Sequence, residues 1–170
     1  YSLLAMIIER VAGMPYEAYL YENLWRPAGM EQTGYRRPRF AQENVAIGYT
    51  YDDRPWGRPT DKEWDIDAPY WHLKGNGGIL STVEDLFNWS QALSTHAILS
   101  ESAKAKMYHP RLREGEDPGA YYGYGWDVHR TDRNTVSLWH NGANGIFYAD
   151  FFRFLDERST IIILTNKTNG

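Results

Sequence analysis

The chain contains no cysteine, which excludes disulfides, thiolate zinc sites and a cysteine nucleophile. It has no apolar run long enough to span a bilayer and no visible signal-peptide pattern. It also has no basic excess: Lys and Arg number 18 against 22 Asp and Glu, a formal net charge of -4. That balance leaves no electrostatic footprint for nucleic acid. The basic cluster of Arg36, Arg37 and Arg39 reads as a solvated loop. Internal repeats and low-complexity segments are missing. The glycines from Gly75 to Gly78 precede a helix, but they lack the Gly-Lys-Ser/Thr of a phosphate cradle and follow no evident strand. His72, His109, His129 and His140 show no metal-ligand spacing such as His-x-x-x-His. A metal hydrolase built on them therefore has little support, and no metal or cofactor is expected.

What remains is an ordinary globular composition, 42% hydrophobic and 24% charged over 170 residues, enough for one domain with a real core. Seven Trp and thirteen Tyr make it aromatic-rich. Such rings line grooves for organic or sugar-like ligands, and they also fill cores. The chain opens on Tyr1 inside an apolar helical pattern, so it reads as a piece whose true beginning is missing.

Leu3, Leu4, Ile7, Ile8 and Val11 recur at helical spacing, with Gly13 as a C-terminal stop. Pro15 opens a second helix through Tyr16, Tyr19, Leu20 and Leu24, ending before Pro27. From Arg36 to Tyr70 periodicity fades, apart from a possible strand over Ala46–Tyr51, and such an excursion is often a lid or substrate loop. Ser81 or Thr82 can cap a helix with Glu84 and Asp85 in its first turn, and Leu86, Phe87, Trp89 and Leu93 form its expected buried stripe. A short helix over Glu101–Tyr108 follows, and a strand region starts at Tyr122.

The organising stretch is Val136 to Phe152, where two β-rich runs flank a glycine-bearing turn and His140 closes the first run. A third run, Ile161–Thr165, forms an antiparallel hairpin with the second. Gly142 and Gly145 remove side chains where a ligand or another backbone can approach. On these residues alone two readings stand. His140 is either a satisfied edge histidine beside a hairpin or the wall of an active site. Asp150 either pairs with an Arg or faces solvent, and Asn166 sits at a groove edge or in a turn. His72, His96 and His109 read as surface or capping groups.

Four separated pieces then coincide: the Leu3-Leu4-Ala5-x-Ile7-Ile8-Glu9 helix, Gly77-Gly78-x-x-Ser81-Thr82-x-x-Asp85-Leu86, Tyr122-Gly123-x-Gly125-Trp126, and His140-x-Gly142 with Ile163-Leu164-Thr165-Asn166. Their order and spacing resemble the serine β-lactamase-related family of class C β-lactamases, D-alanyl-D-alanine carboxypeptidases and esterases. The resemblance implies an α/β (α+β) fold, with an antiparallel sheet flanked by helices and its N-terminal part missing. A partial domain over residues 1–170 follows, with a helical region and long loop over 1–75, a groove loop and helices over 76–110, and strands over 120–168.

The same resemblance implies acyl transfer through a serine ester on an amide, ester or β-lactam. A Ser-x-x-Lys nucleophile, a Tyr-x-Asn motif and a Lys/His-x-Gly strand make up the machinery, with backbone donors for the oxyanion. His140 matches the first residue of the third motif, where it joins the proton network or binds a substrate carboxylate. Gly142 lets substrate lie against the strand, and the Ala143 N–H matches an oxyanion donor. Asn141 stands where β-lactamases carry Thr or Ser, which favours an esterase- or peptidase-like relative. Gly77 and Gly78 resemble the segment bordering the substrate groove. Ser-x-x-Lys occurs nowhere: Ser2, Ser100 and Ser102 all lack the lysine, and Tyr1-Ser2-Leu3 has Leu where the second motif has Asn. The resemblance thus implies a small-molecule or peptide substrate, a missing N-terminal segment that completes the site, and a periplasmic or extracellular setting. Alone, the chain is expected to be inactive. A non-catalytic homologue that binds peptide or glycan in the same groove is the other reading.

Overall fold

Local signals close each helix where the sequence places its stops. The computed structural model describes residues 1–36, 40–61 and 73–167. Helix α1 (Ser2–Ala12) ends at Gly13, whose left-handed φ of 66° lets its N–H bond to Glu9 O. Helix α2 (Tyr16–Leu20) begins just after Pro15 and continues as a single π-type turn over Tyr21–Trp25. Leu20, Trp25, Met30 and Tyr35 bury themselves together behind it. Burial pushes the Tyr35 phenol up to about 12.

Helix α3 (Val83–Leu93) is capped by Thr82, whose Oγ1 accepts from Asp85 N. Asp85 is itself buried, and its carboxylate takes Gln32 N and Thr33 Oγ1, each at 2.7 Å. Ser81 Oγ lies 2.7 Å from Thr33 Oγ1, so this serine is committed to the clasp that joins the helical pair to α3. The expected apolar stripe needs correcting at Phe87, which is half exposed. The buried positions of α3 are Asp85, Ser90, Ala92 and Leu93, because the helix turns a partly polar face to the sheet. Helix α4 (Glu101–Met107) follows, with Ser100 Oγ accepting from Ala103 N.

The expected strand over Ala46–Tyr51 shrinks to β1 (Gly48–Tyr49), paired with β2 (Pro55–Gly57). The main sheet runs in sequence order β3 (Leu112–Arg113), β4 (Ala120–Tyr122), β5 (Asp127–Arg130), β6 (Val136–Ala143), β7 (Tyr148–Phe154) and β8 (Ser159–Thr165), all antiparallel. The expected hairpin of the second and third runs is β7–β8, and β6 lies beside it.

The inner face of the sheet carries the main core, where Leu93, Trp126, Val128 and Leu138 pack together. Arg153, opposite Leu138, reaches from this face to α3 and α4. The outer face holds a half-buried aromatic ladder, with Trp139 stacked on Phe152 at 5.4 Å and Phe152 on Phe154 at 6.4 Å. Trp139 Nε1 donates to Asp150, which answers the question of that carboxylate's partner. No helix among the described residues is long and apolar enough to cross a membrane.

Candidate functional site

The register of β6 builds the site. Strand β5 starts at Asp127, opposite Trp139, so residues 140–143 pair with β7 and have no strand on their other side among the described residues. Two flanking bonds set the phase, Leu155 N to Val136 O and Asn144 N to Phe147 O. Even-numbered residues of β6 therefore bond to β7, and alternation turns the backbone groups of Asn141 and Ala143 to the free edge. The Ala143 N–H is thus a donor without a strand partner, at the position the motif marks for an oxyanion. The side chain of Asn141 lies on the outer face with Trp139, whereas His140 shares the inner face with Leu138.

Gly142 continues this exposed edge, and a Cβ built there meets no atom within 4 Å. Packing among the described residues does not demand a glycine at that position. The β6–β7 turn is held by Asn144 Oδ1, which accepts from Ile146 N and Phe147 N, with Gly145 at φ 83°. Gly48 presses against it so closely that a Cβ would lie 2.4 Å from Ile146. Trp56 meets Phe147 edge-on at 6.0 Å. The described part of the long excursion therefore braces the site end of β6. Asn166 assists, its amide donating to Ile47 O at 2.8 Å.

His140 is exposed, and its Nε2 lies 2.8 Å from the hydroxyl of Tyr122. Burial, above all, holds the Tyr122 phenol protonated, and the nearby Tyr1 hydroxyl, Asp127 and Glu114 act in the same direction. The hydrogen bond that the protonated Glu114 carboxyl donates to Asp127 raises its pKa to about 6, with desolvation and the charge of Asp127 adding and His140 opposing. Tyr122, Glu114 and Asp127 are the site residues that sequence reading missed as a group. Tyr122 lay within a quoted motif, but the two carboxyls carry no local signal and meet only through strand pairing.

Gly77 N bonds to Leu73 O. Gly78 takes φ 78°, so a side chain there is strained. Their loop touches the site through Gly75, where a Cβ would stand 2.8 Å from Tyr1 O. A literal Tyr-x-Asn, Tyr21-Glu22-Asn23, sits in the π-type turn. Asn23 there donates to Tyr19 O, so the motif is spent on the helix. His96 bonds Glu101 at 3.0 Å and His129 bonds Asp117 at 3.2 Å. His72, Arg37 and Arg39 lie outside the described residues. Among those described, no group of three or more His, Asp or Glu is placed to hold a metal ion.

The strand edge with His-x-Gly, the helix pair and the glycine loop all lie within one β-lactamase-like domain. The chain belongs to the Beta-lactamase family, which it matches over residues 1–170. It is 32% identical over 174 aligned residues to Penicillin-binding protein 4* of Bacillus subtilis (strain 168), covering 98% of this chain and 38% of that protein. In fold it resembles an octameric penicillin-binding protein homologue from Pyrococcus abyssi, with a TM-score of 0.80 and 23% identity over 99% of this chain and 37% of that one. A β-lactamase/D-alanine carboxypeptidase from Pseudomonas syringae superposes with a TM-score of 0.76 and 17% identity, over 99% of this chain and 53% of that one. The chain thus spans well under half of the curated relative's length.

Proposed function

We propose that residues 1–170 form one wall of an acyl-transfer site for an amide or ester substrate, in an enzyme whose nucleophile lies on polypeptide beyond these residues. The observation that carries this reading is the free edge of β6, with the Ala143 N–H turned outward, Gly142 unobstructed and His140 held by Tyr122. A substrate lying along that edge places its acyl oxygen against the Ala143 N–H. A serine Oγ attacks the acyl carbon, the tetrahedral oxyanion draws on that donor, and the C–N or C–O bond breaks as the leaving group takes a proton. Water then hydrolyses the acyl ester and frees the serine.

The chain's own serines do not serve. Ser81 and Ser90 are hydrogen-bonded into the clasp and the core, and no serine has a lysine three positions on. Asn141 in place of Thr or Ser favours an open-chain amide or ester over a β-lactam. Names such as penicillin-binding protein and D-alanine carboxypeptidase among the relatives are compatible with a D-amino-acid peptide.

The test is covalent labelling. The 170-residue chain is expected to take up neither fluorescent penicillin nor fluorophosphonate, whereas the complete gene product takes up fluorophosphonate. In that product His140→Gln is expected to lower kcat/KM on an ester on the order of 10²-fold. A complete product that is never acylated, yet binds D-amino-acid peptide along this edge, would replace catalysis with recognition.

A further inference from the structure

Tyr122 reaches His140 from a rigid mount. The turn after β4 closes with Gly123 N bonding to Trp126 O at 2.7 Å, and Tyr124 N bonds to Met107 O at 2.9 Å at the end of α4. A Cβ on Gly123 would stand 2.5 Å from Met107 O, so this turn packs directly on the helix end. The hydroxyl it delivers is 2.8 Å from Nε2 of His140, while Nδ1 of that ring has no partner among the described residues.

A neutral imidazole has one N–H and one lone pair, so the direction of this bond decides what the other nitrogen offers. Its length of 2.8 Å fits a hydroxyl donor. The phenol also keeps its proton, being half-buried with carboxylates nearby, so it has a hydrogen to give at neutral and mildly alkaline pH.

We propose that Tyr122 is the positioning residue of His140, donating to Nε2 and thereby confining the ring proton to Nδ1. Neutral His140 then presents an N–H to the open side of the site. Taken with the acyl-transfer reading, on which this consequence rests, His140 serves as an uncharged hydrogen-bond donor. Its target is an acceptor oxygen of the substrate, a carbonyl or carboxylate. It is not the base that activates a nucleophile, because its lone pair is occupied by Tyr122. Substrates lacking an acceptor at that point lose the contact and leave the N–H unpaired.

The experiment is a long-range 1H–15N correlation spectrum of the 15N-labelled 170-residue chain, at alkaline pH with every histidine neutral. The His140 signals are assigned by their loss in His140→Gln. The expected result is a protonated Nδ1 and a bare Nε2 at His140, opposite to the exposed His109, which should show the Nε2–H form usual for free imidazole. Tyr122→Phe should return His140 to the His109 pattern and leave His129 unchanged. A wild-type His140 with its proton on Nε2 overturns the proposal, whether or not Tyr122→Phe folds. Unchanged tautomers in a folded Tyr122→Phe protein overturn it as well. Failure of the acyl-transfer reading would appear in the labelling experiment, with this tautomer intact.

Discussion

The two halves of β6 are built on opposite plans. From Val136 to Trp139 the strand is paired on both sides, by β5 and β7, and Leu138 is completely buried. From His140 to Ala143 it is paired on one side and exposed among the described residues. The first half contributes stability and fixes register. The second half exposes a histidine, a glycine with empty space above it and unpaired backbone groups, each of which weakens a strand unless something binds there. The contrast in local foldability between the two ends of one strand is what the proposed site rests on.

The sharpest way to break that contrast is at the buried end. Arg153 is 4% exposed, and its guanidinium spreads over Ser90 Oγ and O at 3.1 Å, Ser94 Oγ at 2.8 Å and Tyr108 Oη at 2.8 Å. It has no carboxylate partner among the described residues, so these neutral acceptors alone solvate a buried charge. Arg153→Ala orphans several of them and opens a cavity beside α3, and is expected to cost about 4 kcal/mol. Urea unfolding measures it. A loss below about 1 kcal/mol would mean that water already reaches this charge.

Leu138→Ala comes next, at about 3 kcal/mol, because the side chain is fully enclosed by Leu93, Trp126 and Val128. The same unfolding curve checks it. Two residues further on, His140→Gln should leave stability nearly unchanged.

Much of this architecture was legible in the sequence. Gly13 stopped α1, Thr82 capped α3, and the three apolar runs became β6, β7 and β8, since each depends on neighbours within a few residues. What failed was non-local. Phe87 was assigned to the core because apolar residues usually lie inside, but the sheet side of α3 is occupied by Ser90 and its bond to Thr160. Arg153 drew no notice in an aromatic strand, since only tertiary packing shows that its donors are satisfied. His140 and Gly142 were marked by motif. Tyr122 and the Glu114–Asp127 pair became visible only once β3, β4 and β5 stood side by side.

Gly142→Ala sharpens the contrast from the open end. Its Cβ would touch nothing within 4 Å, so stability should change by less than about 0.5 kcal/mol. In the complete gene product the same methyl would stand where substrate lies, and acylation by fluorophosphonate is expected to slow about 10-fold. A stability loss above 1 kcal/mol would show that protein already fills the space.

The smallest effect is set by protons. Glu114 is raised from its ordinary value of 4.5 to about 6, first by its hydrogen bond with Asp127, then by desolvation and by that neighbour's charge. A carboxyl whose folded value is raised binds its proton more tightly in the folded state. Its contribution to stability is therefore complete below pH 4.5 and is lost as pH rises through about 6. Glu114 lies near solvent, so the loss is slight, and side-chain carboxyl NMR reads it better than melting does. Asp127→Asn should bring the Glu114 midpoint back towards 4.5 and flatten stability between pH 4.5 and 6. A midpoint that stays near 6 in this variant would assign the shift to burial and dissolve the pair. If it moves, the open end of β6 has a carboxyl pair that the buried end lacks, since the core residues Leu93, Trp126, Val128 and Leu138 have nothing to titrate.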